Sequence, residues 1–112
     1  MTTKNEWLDL CSINDLVENS GVCALLKEEQ VALFYLPNEQ KVYAVGQYDP
    51  FGNANVMSRG IIGSKLGQLF VASPLYKQHF LLEDGSCLED EAVSLPVWKT
   101  QIINERVMIQ TA

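Results

Sequence analysis

The chain has a single histidine, His79, and this limits the chemistry it can perform alone. A nucleophile activated by an imidazole would have to use it, with Ser58, Ser73 or one of the cysteines Cys11, Cys23 and Cys87 as partner. Such a pair forms through space, so the sequence leaves it open. His79 runs into Phe80-Leu81-Leu82, a setting that suits a structural or interfacial ring better than a base. The cysteines contain no C-x-x-C pair, and being odd in number they cannot all pair with one another. They are expected to be reduced thiols filling a core. Glu83, Asp84, Glu89, Asp90 and Glu91 bunch around Asp84-Gly85. Paired carboxylates do acid–base work only when burial or a neighbour separates their affinities for a proton. Around a turn they are expected to form a solvated edge that discourages strand pairing. Neither zinc nor EF-hand spacing is present. Gly60, Gly63 and Gly67 fit no phosphate-cradling pattern and are expected to be turn residues with positive φ.

The elements that must position these residues are short. Trp7 to Cys11, Val22 to Leu26, Val31 to Leu36, Val42 to Val45 and Leu69 to Ala72 are rich in Val, Leu and aromatics. Val31-Ala32-Leu33-Phe34-Tyr35-Leu36 is apolar at successive positions, which predicts a strand covered on both faces. Asp84-Gly85 predicts a two-residue hairpin turn between His79–Leu82 and Ser86–Leu88. Asn104-Glu105 predicts a second, between residues 98–103 and 107–109. One helical turn is expected near Ile13–Val17, with Ser12 and Asp15 as its capping box. Gly46 to Gln68, with five glycines, reads as one long irregular stretch where function can reside. The expected fold is all-β: an antiparallel sandwich or small barrel with a minor helical turn.

With 112 residues the chain forms one domain, 1–112, long enough to bury a core without metal or disulfide staples. No apolar run reaches the length of a membrane span, and Met1-Thr2-Thr3-Lys4-Asn5-Glu6-Trp7 lacks the apolar core of an export signal. A cytoplasmic location is expected, with no membrane as partner. The net charge of −6, with only eight basic residues, excludes the clustered cations that nucleic acids require. One asymmetry stands out. From Pro50 to Leu82 there is no carboxylate, while Arg59, Lys65, Lys77 and His79 all lie there. This stretch is expected to form a neutral-to-basic face on an acidic body, suited to another protein or a small anion.

Two segments of that face carry a resemblance. Ser73-Pro74-Leu75-Tyr76-Lys77-Gln78-His79-Phe80-Leu81-Leu82-Glu83-Asp84-Gly85-Ser86-Cys87 resembles the second cluster-binding loop of Rieske-type ferredoxins, Cys-Pro-Leu-His-Gly-Trp-x-Phe-x-Leu-x-x-Gly-x-Cys. Tyr48-Asp49-Pro50-Phe51 resembles the first loop, x-Cys-Pro-His. Together residues 49–82 span both loops. Asp49 and Ser73 stand at the cysteine positions, Phe51 and Tyr76 at the histidine positions. A Rieske [2Fe–2S] centre takes two thiolates on one iron and two imidazoles on the other. Phe51 has no lone pair, and the other three offer hard oxygens. The resemblance therefore implies a Rieske-like fold with no metal and no 2Fe–2S cluster of its own, in which Phe51 and Tyr76 are expected to pack on each other.

The whole chain resembles one branch of that superfamily, the small subunits of cytoplasmic NAD(P)H-dependent nitrite reductases. The strings that carry this are Gly21-Val22-Cys23-Ala24-Leu25, Ala54-Asn55-Val56-Met57-Ser58-Arg59-Gly60 and Val71 through Phe80, ending at Cys87-Leu88-Glu89-Asp90-Glu91. The resemblance implies a non-catalytic subunit in nitrate assimilation with no cofactor on this chain. Its partner would be a large subunit carrying FAD, siroheme and an iron–sulfur cluster, which reduces nitrite to ammonium. Arg59, Lys77, Gln78 and His79 are expected to lie together and to meet that partner, with Glu89 and Asp90 on a different edge. The alternatives are a cluster-free interaction module of another oxidoreductase, or a thiol enzyme using Cys23 or Cys87 with His79.

Overall fold

The structure is a computed structural model that describes residues 6–111; the N-terminal residues read for an export signal fall largely outside it. Twelve strands form among the described residues, all sheet pairings being antiparallel. They are β1 (Glu6–Ser12), β2 (Ser20–Leu26), β3 (Glu29–Leu36), β4 (Lys41–Gly46), β5 (Tyr48–Asp49) and β6 (Ala54–Asn55). Then come β7 (Ile61–Lys65), β8 (Gln68–Ala72), β9 (His79–Leu81), β10 (Val97–Trp98), β11 (Thr100–Ile103) and β12 (Arg106–Thr111). A central sheet of order β10-β4-β3-β2 lies between β1-β12-β11 and β7-β8-β9, with the small β5-β6 hairpin beside them.

The apolar run in β3 explains the layering. Side chains alternate across a strand. Accordingly Ala32, Phe34 and Leu36 enter one core with Met57, Val71, Phe80, Leu82, Cys87 and Leu95. Val31 and Leu33 enter a second with Val42, Ala44, Val107 and Ile109. The strand covered on both faces is thus the middle layer of three. The all-β expectation holds, and the helical turn is a 3-10 turn at Ile13–Asp15. Its capping box is formed: Asn14 N–H donates to Ser12 Oγ (3.0 Å) and Ser12 N–H to Asp15 Oδ2 (3.0 Å).

Two expectations are corrected. The stretch from Gly46 to Gln68 is not one loop: it contains β5, β6, β7 and a 3-10 turn at Met57–Arg59. Its glycines hide a strand, because Gly63 sits under the Phe70 ring rather than in a turn, and of the Gly60, Gly63, Gly67 set only Gly67 has positive φ. Asp84-Gly85 does not make a two-residue turn. Gly85 N–H donates to Leu81 O and Leu81 N–H to Ser86 O, both at 2.8 Å, so residues 82–85 form a wider loop. Gly85 alone has positive φ there, and a Cβ on it would lie 2.1 Å from Leu95 O. Asp84 is occupied differently, accepting from Ser86 N–H at 2.9 Å.

Candidate functional site: two loops closed by a buried hydrogen bond

Asp49 ends β5, and Ser73 follows directly on β8. Both side chains are fully buried. The Ser73 hydroxyl donates to Asp49 Oδ2, joining two loops far apart in sequence. Each oxygen group also organises its own loop. Asp49 Oδ1 accepts from the N–H groups of Phe51 (2.8 Å) and Gly52 (3.1 Å). Ser73 Oγ accepts from Leu75 N–H (3.2 Å). Short side chains hydrogen-bonded to the backbone two residues on are the chemistry of Asx and Ser turns, and Pro50 and Pro74 fix the intervening φ. A buried carboxylate is tolerable only when its oxygens are satisfied, and here both are. The loops then touch: a Cβ on Gly52 would come within 2.3 Å of Leu75 Cδ1.

The first loop is fastened at its base by Gln47, a buried residue that sequence reading passed over. Its carbonyl accepts from Val56 and Met57 N–H, both at 3.0 Å. Its Nε2 donates to Ser58 Oγ (2.9 Å) and Asn55 O (3.2 Å), and its Oε1 accepts from Ser58 N–H (2.7 Å). A polar residue wedged between Gly46 and Tyr48 was the available signal.

Phe51 and Tyr76 do not pack on each other. Phe51 lies against Phe80, ring centroids 6.2 Å apart, whereas Tyr76 points outward and is 67% exposed. The reason is the central position of Phe80 in β9, which presents a buried aromatic face that Phe51 can reach.

Arg59, Lys77, Gln78 and His79 gather at one end of the β7-β8-β9 sheet. Arg59 leads through Gly60 into Ile61, which pairs with Ala72, which pairs with His79. Arg59 and Lys77 are exposed. Gln78 O accepts from Ser73 N–H (2.9 Å), while its side-chain Oε1 is enclosed with no hydrogen-bond partner among the described residues. The acidic edge is not elsewhere. Glu89 Oε2 lies 2.6 Å from His79 Nδ1, and Glu89 Oε1 accepts from His79 N–H at 2.8 Å. Asp90 is also structural, accepting from Ala92 N–H at 3.0 Å. Glu83, Asp84, Glu89, Asp90 and Glu91 are all exposed, as a solvated edge requires, and Asp84, Glu89 and Asp90 also hold backbone N–H groups.

The thiols are also placed. Cys87 is buried in one core and Cys11, half-buried, packs against the other, while Cys23 is exposed, so the expectation of three core fillers holds for two. Burial pushes the Cys87 thiol above its ordinary value. Its Sγ faces Glu89 Oε1 at 3.7 Å, and the Cys23 Sγ faces Gln30 Oε1 at 3.6 Å. Neither meets His79. Ser58 and Ser73 are held by Gln47 and Asp49. No nucleophile–imidazole pair forms among the described residues.

A Rieske cluster would have to be held at positions 49, 51, 73 and 76. The residues there do not fit it. Asp49 and Ser73 spend their oxygens on each other and on backbone N–H groups, Phe51 is packed on Phe80, and Tyr76 faces outward. No group of three or more His, Cys, Asp or Glu side chains among the described residues is arranged to hold a metal ion.

Comparison with known proteins places this geometry. Residues 6–110 match the model of the Rieske-like [2Fe-2S] domain family. The chain is 45% identical over 98 residues to the nitrite reductase (NADH) small subunit of Escherichia coli K12, covering 88% of this chain and 91% of that one. The solution structure of a nitrite reductase [NAD(P)H] small subunit from Erwinia carotovora superposes with a TM-score of 0.81 at 46% identity. It covers 95% of this chain and 82% of its own. A third relative is longer. The nitrite reductase [NAD(P)H] large subunit of Klebsiella oxytoca is 34% identical over 103 residues, which are 92% of this chain but 11% of that protein. The chain belongs to the Rieske-like domain family and, within it, to the small subunits of NAD(P)H-dependent nitrite reductase.

Proposed function

We propose that the chain is a non-catalytic, cluster-free subunit that docks on the large subunit of nitrite reductase, which itself holds FAD, siroheme and an iron–sulfur cluster and carries out the reduction of nitrite to ammonium. The Asp49–Ser73 hydrogen bond is the observation that carries this reading. It joins, through oxygen atoms, the loops whose counterparts in cluster-bearing proteins are joined by metal. The docking surface is the end of the β7-β8-β9 sheet bearing Arg59, Lys77, Gln78 and His79. Residues 50–82 there supply basic groups and no carboxylate. We place the chain in the cytoplasm, a location that three unpaired cysteines suit. Among the described residues no helix is long and apolar enough to cross a membrane.

The test is reconstitution. The chain, prepared anaerobically with iron and sulfide, is expected to be colourless and free of stoichiometric iron. Added to the isolated large subunit, it is expected to co-purify with it and to raise nitrite-dependent oxidation of the nicotinamide. A Rieske-type visible spectrum with matching iron would overturn the cluster-free assignment, and failure to associate would overturn the subunit role.

A further inference from the structure

We propose that Leu75 and Tyr76, held outward by the Asp49–Ser73 hydrogen bond, are the apolar anchor with which the chain grips the large subunit. This rests on the docking reading above and names the residues that supply affinity there.

Single exposed apolar side chains are ordinary on protein surfaces; a group of them around one feature is not. Tyr48, Ile61, Leu75, Tyr76 and Leu88 are each at least 42% exposed, and all border the two joined loops or the sheet end beside them. Ile61, Ala72 and His79 are successive partners across β7, β8 and β9, and His79 O accepts from Leu88 N–H. Directly paired residues share a face of an antiparallel sheet. Ile61 and Leu88 therefore share the outer face with Ala72 and His79, while Val71, Phe80 and Cys87 point inward. Tyr76 is the most exposed of the group and of a type enriched among residues that dominate interface energies.

The rim of this patch is basic. Arg59 and Lys77 are exposed, and Glu89, the carboxylate beside them, is engaged by His79. The surface fits an apolar recess bordered by carboxylates. The occupant is the large subunit: in the Klebsiella oxytoca protein of that name, a segment like this chain is part of the same polypeptide, so the two components are covalently joined there.

Anchors bind well when they are ordered in advance. Ser73 N–H donates to Gln78 O and Leu75 N–H to Ser73 Oγ, closing the loop on which Tyr76 stands. Lys77 is in the left-handed region, φ 70°, which completes the turn. Asp49 and Ser73 are positioning residues, acting through that loop.

The experiment measures binding of the full chain and its variants to the isolated large subunit by biolayer interferometry, each variant checked by circular dichroism. Tyr76→Ala and Leu75→Ala are each expected to weaken binding about tenfold or more. Leu66→Ala, at a 95% exposed residue at the far end of the β7–β8 hairpin, is expected to bind as wild type. Ser73→Ala is expected to weaken binding while Asp49→Asn, whose amide can still donate to Ser73 Oγ, retains it. If the wild-type chain itself does not bind, the docking reading fails and the anchor with it. If wild type binds and Leu75→Ala and Tyr76→Ala bind equally well, the anchor is overturned and docking stands. Wild-type binding by Ser73→Ala would remove the positioning role.

Discussion

Glu89 decides how the single histidine is presented. Its carboxylate takes the His79 N–H and the ring Nδ1 and also faces the Cys87 thiol. Burial alone would push this carboxyl up, but the hydrogen bonds and charge of His79 outweigh it and hold Glu89 below its ordinary value of 4.5. A carboxyl lowered by folding stabilises the fold above its unfolded pKa, and that contribution is lost as pH falls through the lowered value. The His79 amide proton reports on it directly. In an NMR titration its resonance is expected to move with a midpoint below 4.5, and Glu89→Gln to abolish the step. A midpoint at or above 4.5 would show that His79 does not hold the carboxylate ionised. Sequence spacing could not show this contact, because it depends on the bridge between Phe80 and Cys87. The positions of Asp49 and Ser73, by contrast, were legible in the resemblance to the Rieske loops, with the prolines, Phe80, Leu82, Gly85 and Cys87 in register. What those two side chains do with each other needed the fold.

At the scale of elements, turn composition misled in both directions. Asp84-Gly85 has the sequence of a two-residue turn and forms a wider loop, since Leu95 and Asp84 each claim part of the backbone. Asn104-Glu105 lacks glycine and forms the tight turn expected of it, with φ of 50° and 64° between paired Ile103 and Arg106. Lys27-Glu28 does the same between Leu26 and Glu29, unannounced by any turn residue. In each case the pairing of long flanking strands imposes the turn. Left-handed backbone costs a non-glycine residue about 1–2 kcal/mol, partly offset because glycine leaves the unfolded chain freer. Glu105→Gly is therefore expected to stabilise the protein by about 0.5–1 kcal/mol in urea denaturation. The Glu105 carbonyl would still accept from Ile13 N–H. A destabilised variant would mean that the Glu105 side chain contributes more than its backbone strain removes.

Across the whole molecule, the longer apolar strands and the doubly covered β3 were readable from periodicity, because alternation and burial are local properties of a strand, whereas β5, β6 and β7 were hidden in the glycine-rich stretch. The partition into two cores was not, since it depends on which distant strand reaches each face. Charge distribution was half readable. The carboxylate-free stretch is contiguous in sequence, but Glu89 enters it from outside and pairs with His79. On the proposed docking surface the steering role falls to Arg59 and Lys77. Exposed rim charges act mainly on association rate and its salt dependence. Arg59→Ala with Lys77→Glu is expected to slow association with the large subunit several-fold at low ionic strength and to flatten its response to salt, leaving dissociation near wild type. Stopped-flow or interferometric kinetics at two salt concentrations would show this. Unchanged rates would move the contact to another face.

Gln47 has a consequence for how the protein breathes. Its backbone and side chain together fasten Asn55, Val56, Met57 and Ser58, and its own N–H reaches back to Gln30 O on β3. The N–H groups of Val56, Met57 and Ser58 are anchored to one residue, which is itself anchored to the central sheet. They do not fray one after another from a free end: the Gln47 backbone carbonyl holds Val56 and Met57 N–H and its side chain holds Ser58 N–H, so releasing them together means displacing Gln47 from its buried slot. Hydrogen exchange there becomes a single cooperative opening tied to the stability of the core.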